Sequence, residues 1–277
     1  MKNILIALLL MLPLVASSND RYKITKADSL CKVAITLAEK KNFDAAIKHY
    51  TSSDSIYKKL LPASDTLRLK ATKELVDCYT DYSRNENDKG NNSRAMQLVE
   101  KALAIQSSHF GKENEKYTDI LNRKAMTYFT VQKYKEAIAT EIEAINICKR
   151  IFGEKDQRTA AHLYFIAHFY STAGDNESAI KYGEATIAAY RADAKSDKLN
   201  YAFALNNLAL CYNTKGLPQR ALELLEEAQP IFKEKLGTDN ANYPKMLNNI
   251  AMLYNNAGQH KEDILLGEET VAITKKI

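Results

Sequence analysis

A strict repeat of 42 residues limits the folds open to this chain more than any other feature of its sequence. Four related strings (LNRKAMTY, LYFIAHFY, LNNLALCY and LNNIAMLY) follow one another at this spacing and begin at Leu121, Leu163, Leu205 and Leu247. The second half of the unit keeps the same register through Ala95, Ala137, Ala179 and Ala221. Asp263 interrupts that series in the last unit. A period of roughly 20 to 50 residues is typical of proteins built from stacked repeats.

Each unit reads as a helix, a short turn and a second helix. In the fifth unit, one apolar stripe with helical spacing consists of Leu205, Leu208, Ala209 and Tyr212. Gly216 then breaks the first helix, and Pro218 suits the first turn of the second, where its missing N–H costs little. Gly237 is expected to end that second helix as a left-handed cap.

Six such helix pairs are predicted, at approximately 26–61, 68–110, 117–152, 159–194, 201–236 and 243–277. Inside the second pair, the polar run from Asn85 to Asn92 predicts a lengthened loop between the two helices. The chain has only 9 Gly and 5 Pro, which argues against an architecture of strands and turns. We therefore predict an all-α solenoid over residues 19–277.

The repeat resembles the tetratricopeptide repeat family in its small and aromatic positions. In the third unit these positions are Ala125, Tyr128, Ala137 and Ala144, and in the fifth they are Ala209, Tyr212, Ala221 and Ala228. The period of 42 residues and the strings LNNLA and LNNIA are similar to the kinesin light chain branch of that family. The resemblance covers roughly residues 25 to 277 and implies a right-handed α-solenoid of about six helix pairs. It is specific as to fold and weak as to function.

The first residues have the pattern of a secretion signal. Lys2 precedes an apolar run from Ile4 to Val15, and the small residues Ala16 and Ser18 fit a cleavage site. We therefore expect a signal peptide at residues 1–18 and a periplasmic or extracellular protein that is not stably inserted in a membrane once the signal is cleaved. An N-terminal membrane anchor is the alternative, although the apolar run is short for a span of about 20 residues.

Composition and motifs exclude several function classes. The net charge of +5 is scattered, with no basic run, so nucleic acid is not an expected partner. No nucleophile, phosphate-loop or dinucleotide motif is present, and His162 and His168 do not share a helix face. We expect no catalytic residues, no cofactor and no metal site. An enzyme remains the minor alternative, with His168, Tyr164 and Glu184 as its candidate residues.

The four cysteines, Cys31, Cys78, Cys148 and Cys211, lie in apolar helical patterns without metal-ligand spacing. They read as small buried residues. Export permits disulfides, so the sequence leaves a pairing of Cys31 with Cys78 open.

The first helix of each repeat is expected to line a concave groove. The predicted groove residues are Asn122, Met126, Tyr164, His168, Asn206, Leu210, Asn213, Asn248, Met252 and Asn255, with Phe129 and Ser171 completing the same rows. Amides donate to and accept from a peptide backbone, which suits an extended peptide. The resemblance to kinesin light chains implies peptide contact by Asn206, Asn248 and Asn122. Alternatively, these amides cap or bridge neighbouring helices, or are solvated.

These observations predict a non-catalytic scaffold that binds a protein or an extended peptide in its groove. A second hypothesis is that the chain is the input segment of a larger signalling or repeat-plus-protease protein. The sequence does not identify the partner or the oligomeric state.

Overall fold

The structure, a computed structural model, describes residues 17–193, 196–238, 240 and 242–275, without the side chains of residues 242, 263 and 269. The predicted signal peptide lies outside the described residues except for Ser17 and Ser18. Within the described part the chain forms twelve α-helices: α1 Ser18–Glu39, α2 Phe43–Leu60, α3 Thr66–Asp88, α4 Asn92–Phe110, α5 Glu115–Thr130, α6 Tyr134–Phe152, α7 Gln157–Thr172, α8 Asn176–Ala192, α9 Lys198–Thr214, α10 Pro218–Leu236, α11 Asn242–Asn256 and α12 His260–Thr274.

The helices belong to two compact units, the first ending at Lys112 and the second beginning at Glu113. In the first unit α1 pairs with α2 and α3 with α4, and α2 also packs on α3. In the second unit α5 to α12 form four successive pairs, and each second helix packs on the first helix of the next pair. First helices also touch directly, α1 with α3, α7 with α9 and α9 with α11. The prediction of an all-α repeat of helix pairs is confirmed.

Small residues at the repeat positions allow the helices of a pair to approach closely. The signature residues Ala125, Ala137, Ala179, Ala209 and Ala221 are all 0% exposed. The distance between packed helices depends on the side chains at their contact, so an alanine there brings two backbones together. Large side chains such as Phe169 and Phe232, which are fully buried, then fill the space beside these contacts.

The turn inside each pair requires a positive φ at one repeat position. Gly174, Gly216 and Gly258 supply it with φ of 86°, 79° and 77°. The third repeat has Gln132 at this position, with φ of 61°. A left-handed backbone costs a residue with a Cβ about 1–2 kcal/mol, so Gln132 is strained, as is Lys41 (φ of 58°) in the turn of the first pair.

The glycine after the second helix behaves differently from the prediction. Gly237 does have a positive φ of 72°, but its ψ is 171°, so it is not a left-handed helical cap. Gly111 and Gly153 have the same combination of positive φ and extended ψ. This region is essentially restricted to glycine. The sequence therefore correctly predicted that a glycine ends this helix but predicted the wrong backbone geometry for it.

The lengthened loop predicted from Asn85 to Asn92 is wrong. Helix α3 continues to Asp88, and α4 begins at Asn92. Glu86, which is only 7% exposed, accepts hydrogen bonds from Asn91 Nδ2 at 2.9 Å and Lys89 Nζ at 3.1 Å. The polar composition of this run reflects a carboxylate buried at a tight turn and satisfied by its own neighbours.

Candidate functional site

A cavity of about 210 Å³ opens in the second unit between α7, α8 and α9. Its walls include Tyr164, His168 and Leu210, three of the residues predicted to line the groove. Ala167, Ser171, Gly183, Asn207 and Cys211 are among the others. First helices of two consecutive repeats thus form its sides, and the intervening second helix forms its floor.

The cavity exists because Gly183 leaves a gap in the floor. The same repeat position holds Glu141 in α6 and Leu225 in α10, and both of these side chains are 0% exposed. At Gly183 no side chain occupies that volume. Leu208 approaches instead, and a Cβ added at Gly183 would lie 2.9 Å from its Cδ1. The missing side chain therefore brings α9 close to α8 and leaves room beside it.

The cavity is uncharged at neutral pH. Partial desolvation lowers the pKa of the solvent-accessible His168 ring, so the ring is neutral at pH 7. Burial raises the pKa of the Cys211 thiol, although a hydrogen bond to Ser171 opposes this. Burial also raises the pKa of Tyr164, against the opposing hydrogen bond to Asn207. His168 is exposed at the mouth, with its ring centroid 5.1 Å from that of Phe129. The site offers apolar walls and a few neutral polar groups, as small-molecule and side-chain pockets generally do.

The groove amides form hydrogen bonds between consecutive repeats. Asn249 Nδ2 donates to Asn206 Oδ1 at 2.9 Å, and Asn256 Nδ2 donates to Asn213 Oδ1 at 3.0 Å. In each pair the partner lies 43 residues further along the chain. The sequence analysis gave bridging as the alternative for these amides but did not identify their partners, Asn249 and Asn256, which are the second asparagines of the strings LNN and YNN.

These bridges leave part of the hydrogen-bonding capacity of the amides unused. An asparagine side chain has two donor hydrogens and an oxygen with two lone pairs. Asn206 uses one acceptor site for Asn249 and one donor toward Asn207 Oδ1 at 3.4 Å. The bridging alternative therefore describes Asn206 and Asn213, and peptide contact by the same amides stays a prediction.

Asn122 belongs to a buried polar cluster that sequence reasoning did not identify. Its Nδ2 donates to Glu141 Oε2 at 3.0 Å, and the other carboxylate oxygen lies 2.6 Å from His162 Nδ1. Glu141 is 0% and His162 5% exposed. Burial lowers the pKa of His162, but hydrogen bonds to Cys148 and Glu141 and the charge of Glu141 outweigh it and raise the pKa to about 10. Glu141 and His162 both occupy repeat positions whose residues are buried in the neighbouring repeats. A comparison of the repeats position by position could therefore have predicted that both side chains are buried.

The remaining predicted groove residues lie outside the cavity. Met126 packs, half-buried, against a cluster that includes Phe169. Asn248, Met252 and Asn255 are exposed on α11, and Asn255 Oδ1 lies 3.0 Å from His260 Nδ1. Glu184, a candidate for the enzyme alternative, hydrogen-bonds Tyr212 and does not line the cavity.

Three negative findings apply to the described residues. None of their helices is both long and apolar enough to cross a membrane. No group of three or more His, Cys, Asp or Glu side chains in this part could hold a metal ion. All four thiols are free, and Cys31 Sγ lies 3.0 Å from Ser53 Oγ.

Several solved structures are similar to this chain. A putative kinesin light chain from Podosopora anserina, with nearly identical TPR-like repeats, is 22% identical, with a TM-score of 0.62 over 73% of this chain and 95% of that one. BtubC (BKLC) from P. vanneervenii is 20% identical, with a TM-score of 0.56 over 80% of this chain and 94% of that one. A Rap protein complexed with Competence and Sporulation Factor is 15% identical, with a TM-score of 0.51 over 89% and 74%. At these identities the likeness concerns the fold.

The family comparison covers more than half of the chain. The tetratricopeptide repeat model matches residues 117–192 and 200–276, which contain the four strict 42-residue units and the cavity. No curated protein matches the chain. The kinesin-light-chain-like structures agree with the branch that the strings LNNLA and LNNIA suggest. The chain belongs to the tetratricopeptide repeat family, whose helical scaffolds are typically protein-binding and non-catalytic.

Proposed function

We propose that this protein is an exported, non-catalytic scaffold that binds an extended peptide along the first helices of its second unit. One apolar side chain of the peptide enters the cavity between α7, α8 and α9. The cavity is the observation that carries the proposal, because it opens among three predicted groove residues, Tyr164, His168 and Leu210. Residues 1–18 direct the chain to the periplasm or the extracellular space.

The size of the cavity suits a single side chain. An apolar cavity of about 150 Å³ holds a benzene molecule, and this one measures about 210 Å³. Its neutral His168 and its buried thiol carry no charge that would oppose an apolar group. Burying one large apolar side chain contributes about 1.5–3 kcal/mol, which corresponds to an affinity gain of roughly 10- to 150-fold.

The amides beside the cavity supply the backbone contacts. Asn206 and Asn213 lie on α9 and keep free donor or acceptor sites after bridging to α11. Asn248, on α11, is exposed. An extended peptide needs partners for its N–H and C=O groups, and fixed amides provide them without a large loss of side-chain entropy. The Rap protein complexed with Competence and Sporulation Factor gives a precedent for a bound factor on a similar fold.

The test uses a displayed library of random decapeptides and the chain without residues 1–18. We expect the selected peptides to share one aliphatic or aromatic position. Their affinity should fall at least tenfold for Leu210→Asp, which places a charge on the cavity wall. Leu265→Asp is the matched control, because Leu265 is 67% exposed on α12. Circular dichroism would verify that both variants fold.

A second variant tests the cavity without introducing charge. Gly183→Ala places a Cβ 2.9 Å from Leu208 Cδ1, so the Leu208 side chain, which lines the cavity, must shift. Weaker binding by this variant supports an anchored side chain. Equal affinity for all variants would refute binding at this site. Export is tested separately by fractionating cells that express the full chain: retention in the cytoplasm with an intact N-terminus would refute it.

A further inference from the structure

The first unit has a groove of its own, of about 510 Å³, between α1 and α3 and above α2. Its floor contains the buried side chains of Phe43, Tyr50 and Cys78. This groove occupies the same place in the repeat as the cavity of the second unit, since first helices form its sides and a second helix, together with Cys78 at the base of α3, forms its floor. Its chemistry is different.

Carboxylates dominate the sides of this groove. Helix α3 contributes Glu74, Asp77, Asp81 and Asp88, and α1 contributes Glu39. Successive carboxylates on α3 are separated by 3, 4 and 7 residues, so all four lie along one face of the helix. Lys41 and Arg84 are the basic residues of the lining. A local excess of negative charge therefore lies on a chain whose net charge is +5.

Most of these carboxylates are not neutralised within the protein. Arg84 Nη1 lies 3.8 Å from Asp81 Oδ1, and both side chains are more than half exposed. Across residues 17–193, by contrast, Glu39, Glu74 and Asp88 form no ion pair. Such carboxylates repel one another, and a cation bound in the groove would relieve that repulsion.

The groups on the floor respond to this negative charge. Burial, followed by the carboxylates of Asp81 and Asp77, raises the pKa of Cys78 to about 12. Burial and then Glu74 raise the pKa of Tyr50 as well. Two floor groups that belong to different helices thus experience the same negative field.

The length of the acidic row limits its occupant. Glu74 and Asp88 are 14 residues apart, or about 21 Å along a helix. An extended peptide covers that distance with about six residues. A metal ion is not the expected occupant, since no three of these groups in the described structure converge as ligands.

We propose that the groove of the first unit is a second binding surface, and that its occupant is an extended peptide segment rich in Lys or Arg. Alternate cationic side chains, about 7 Å apart along the peptide, splay along the groove to reach Glu74, Asp81 and Asp88, which are about 10 Å apart along α3, while their aliphatic stems cover Phe43 and Tyr50. This proposal goes beyond the function proposed above, because it concerns a different unit and a different ligand chemistry.

The probe is a fluorescent hexapeptide with lysine at alternate positions and alanine between them, measured by anisotropy on the chain without residues 1–18. The variant Glu74→Gln, Asp81→Asn, Asp88→Asn should bind it about 3- to 100-fold more weakly, because each exposed ion pair contributes a factor of about 1.5 to 5. The control variant Glu136→Gln, Glu143→Gln, Glu177→Gln removes three exposed carboxylates from α6 and α8. It has the same net charge and should bind as the parent chain does.

Three results would overturn the proposal: no binding of the hexapeptide by the parent chain, equal weakening by both triple variants, or displacement by spermidine at the same concentration as by unlabelled hexapeptide. Spermidine has the charge of three lysines but no backbone. The Leu210→Asp variant separates the two proposals. It should bind the lysine peptide normally even if no peptide with an apolar anchor is ever found, so either proposal can fail without the other.

Discussion

Replacing Glu141 by Gln should remove most of the alkaline pH dependence of the free energy of unfolding. Glu141 and His162 form an ion pair of 2.6 Å that is almost completely buried and joins α6 to α7. The folded pKa of His162 is about 10, against 6.5 without the protein environment. Between these two values the folded state binds one more proton than the unfolded state, so its stability decreases as the pH rises.

The size of the effect follows from this single proton. A difference of one bound proton between the folded and the unfolded state changes the free energy of unfolding by about 1.4 kcal/mol for each pH unit. The ion pair contributes fully below about pH 6.5, and its contribution is lost progressively as the pH rises toward about 10. Between pH 7 and 8.5 the loss is about 2 kcal/mol. Above about pH 8.5 unfolded thiols ionise, and the raised pKa values of Cys78 and Cys211 then add losses of the same sign.

Urea unfolding followed by far-ultraviolet circular dichroism is the appropriate assay, because the chain has no Trp and urea does not screen charges. We expect the parent chain to lose stability from pH 7 to 8.5 and the Glu141→Gln variant to change little. Gln keeps the shape of the side chain and a neutral hydrogen bond to His162. His168→Gln is the control: the lowered pKa of His168 confines its proton linkage to pH values below about 6.5. A parent chain with no loss of stability over this range, or a variant with the same loss, would refute the reasoning.

Three further substitutions test the repeat geometry by the same unfolding assay. Gln132→Gly should raise the free energy of unfolding by about 0.5–1 kcal/mol, because glycine relieves the positive φ of 61°; a loss of stability would mean that the Gln132 side chain makes a more valuable contact. Asn249→Ala should lower it by about 0.5–1.5 kcal/mol through the lost bond to Asn206, whereas an unchanged value would show that the bridge contributes nothing. Asp156→Ala removes the side chain that caps α7 at the backbone N–H of Arg158 and should cost about 1 kcal/mol; no loss would show that water replaces the cap.

The sequence was sufficient for the repeated parts of the fold. Ala137, Ala179 and Ala221 were recognised by their spacing of 42 residues, and all three are fully buried between paired helices. The break at Gly216 and the helix start at Pro218 were also correct. These features depend on local backbone preference and on periodic packing, and a single sequence displays both.

The predictions from sequence were wrong at positions where one repeat carries a residue of a different chemical type from the residues at the same position in the other repeats. Glu86 and Glu141 are carboxylates at buried positions, and composition alone marks such residues as solvent-facing. Their burial depends on polar partners that the apolar repeat pattern does not identify: Asn91 for Glu86 and His162 for Glu141. The cavity was missed for the converse reason, because Gly183 is conspicuous only when its position is compared with Leu225 one repeat later.

The same comparison explains how one repeat can serve different ligands. In each unit a cleft lies between the first helices of consecutive repeats, and apart from Ala167 and Ala179 its lining residues do not belong to the alanine positions that fix the helix spacing. A substitution in the cleft therefore changes its chemistry without disturbing the stack. Gly183 in place of a larger residue opens an uncharged cavity, whereas Glu74, Asp81 and Asp88 make the corresponding cleft of the first unit acidic. Binding specificity in this chain should accordingly follow a few cleft residues and should be exchangeable by substituting them.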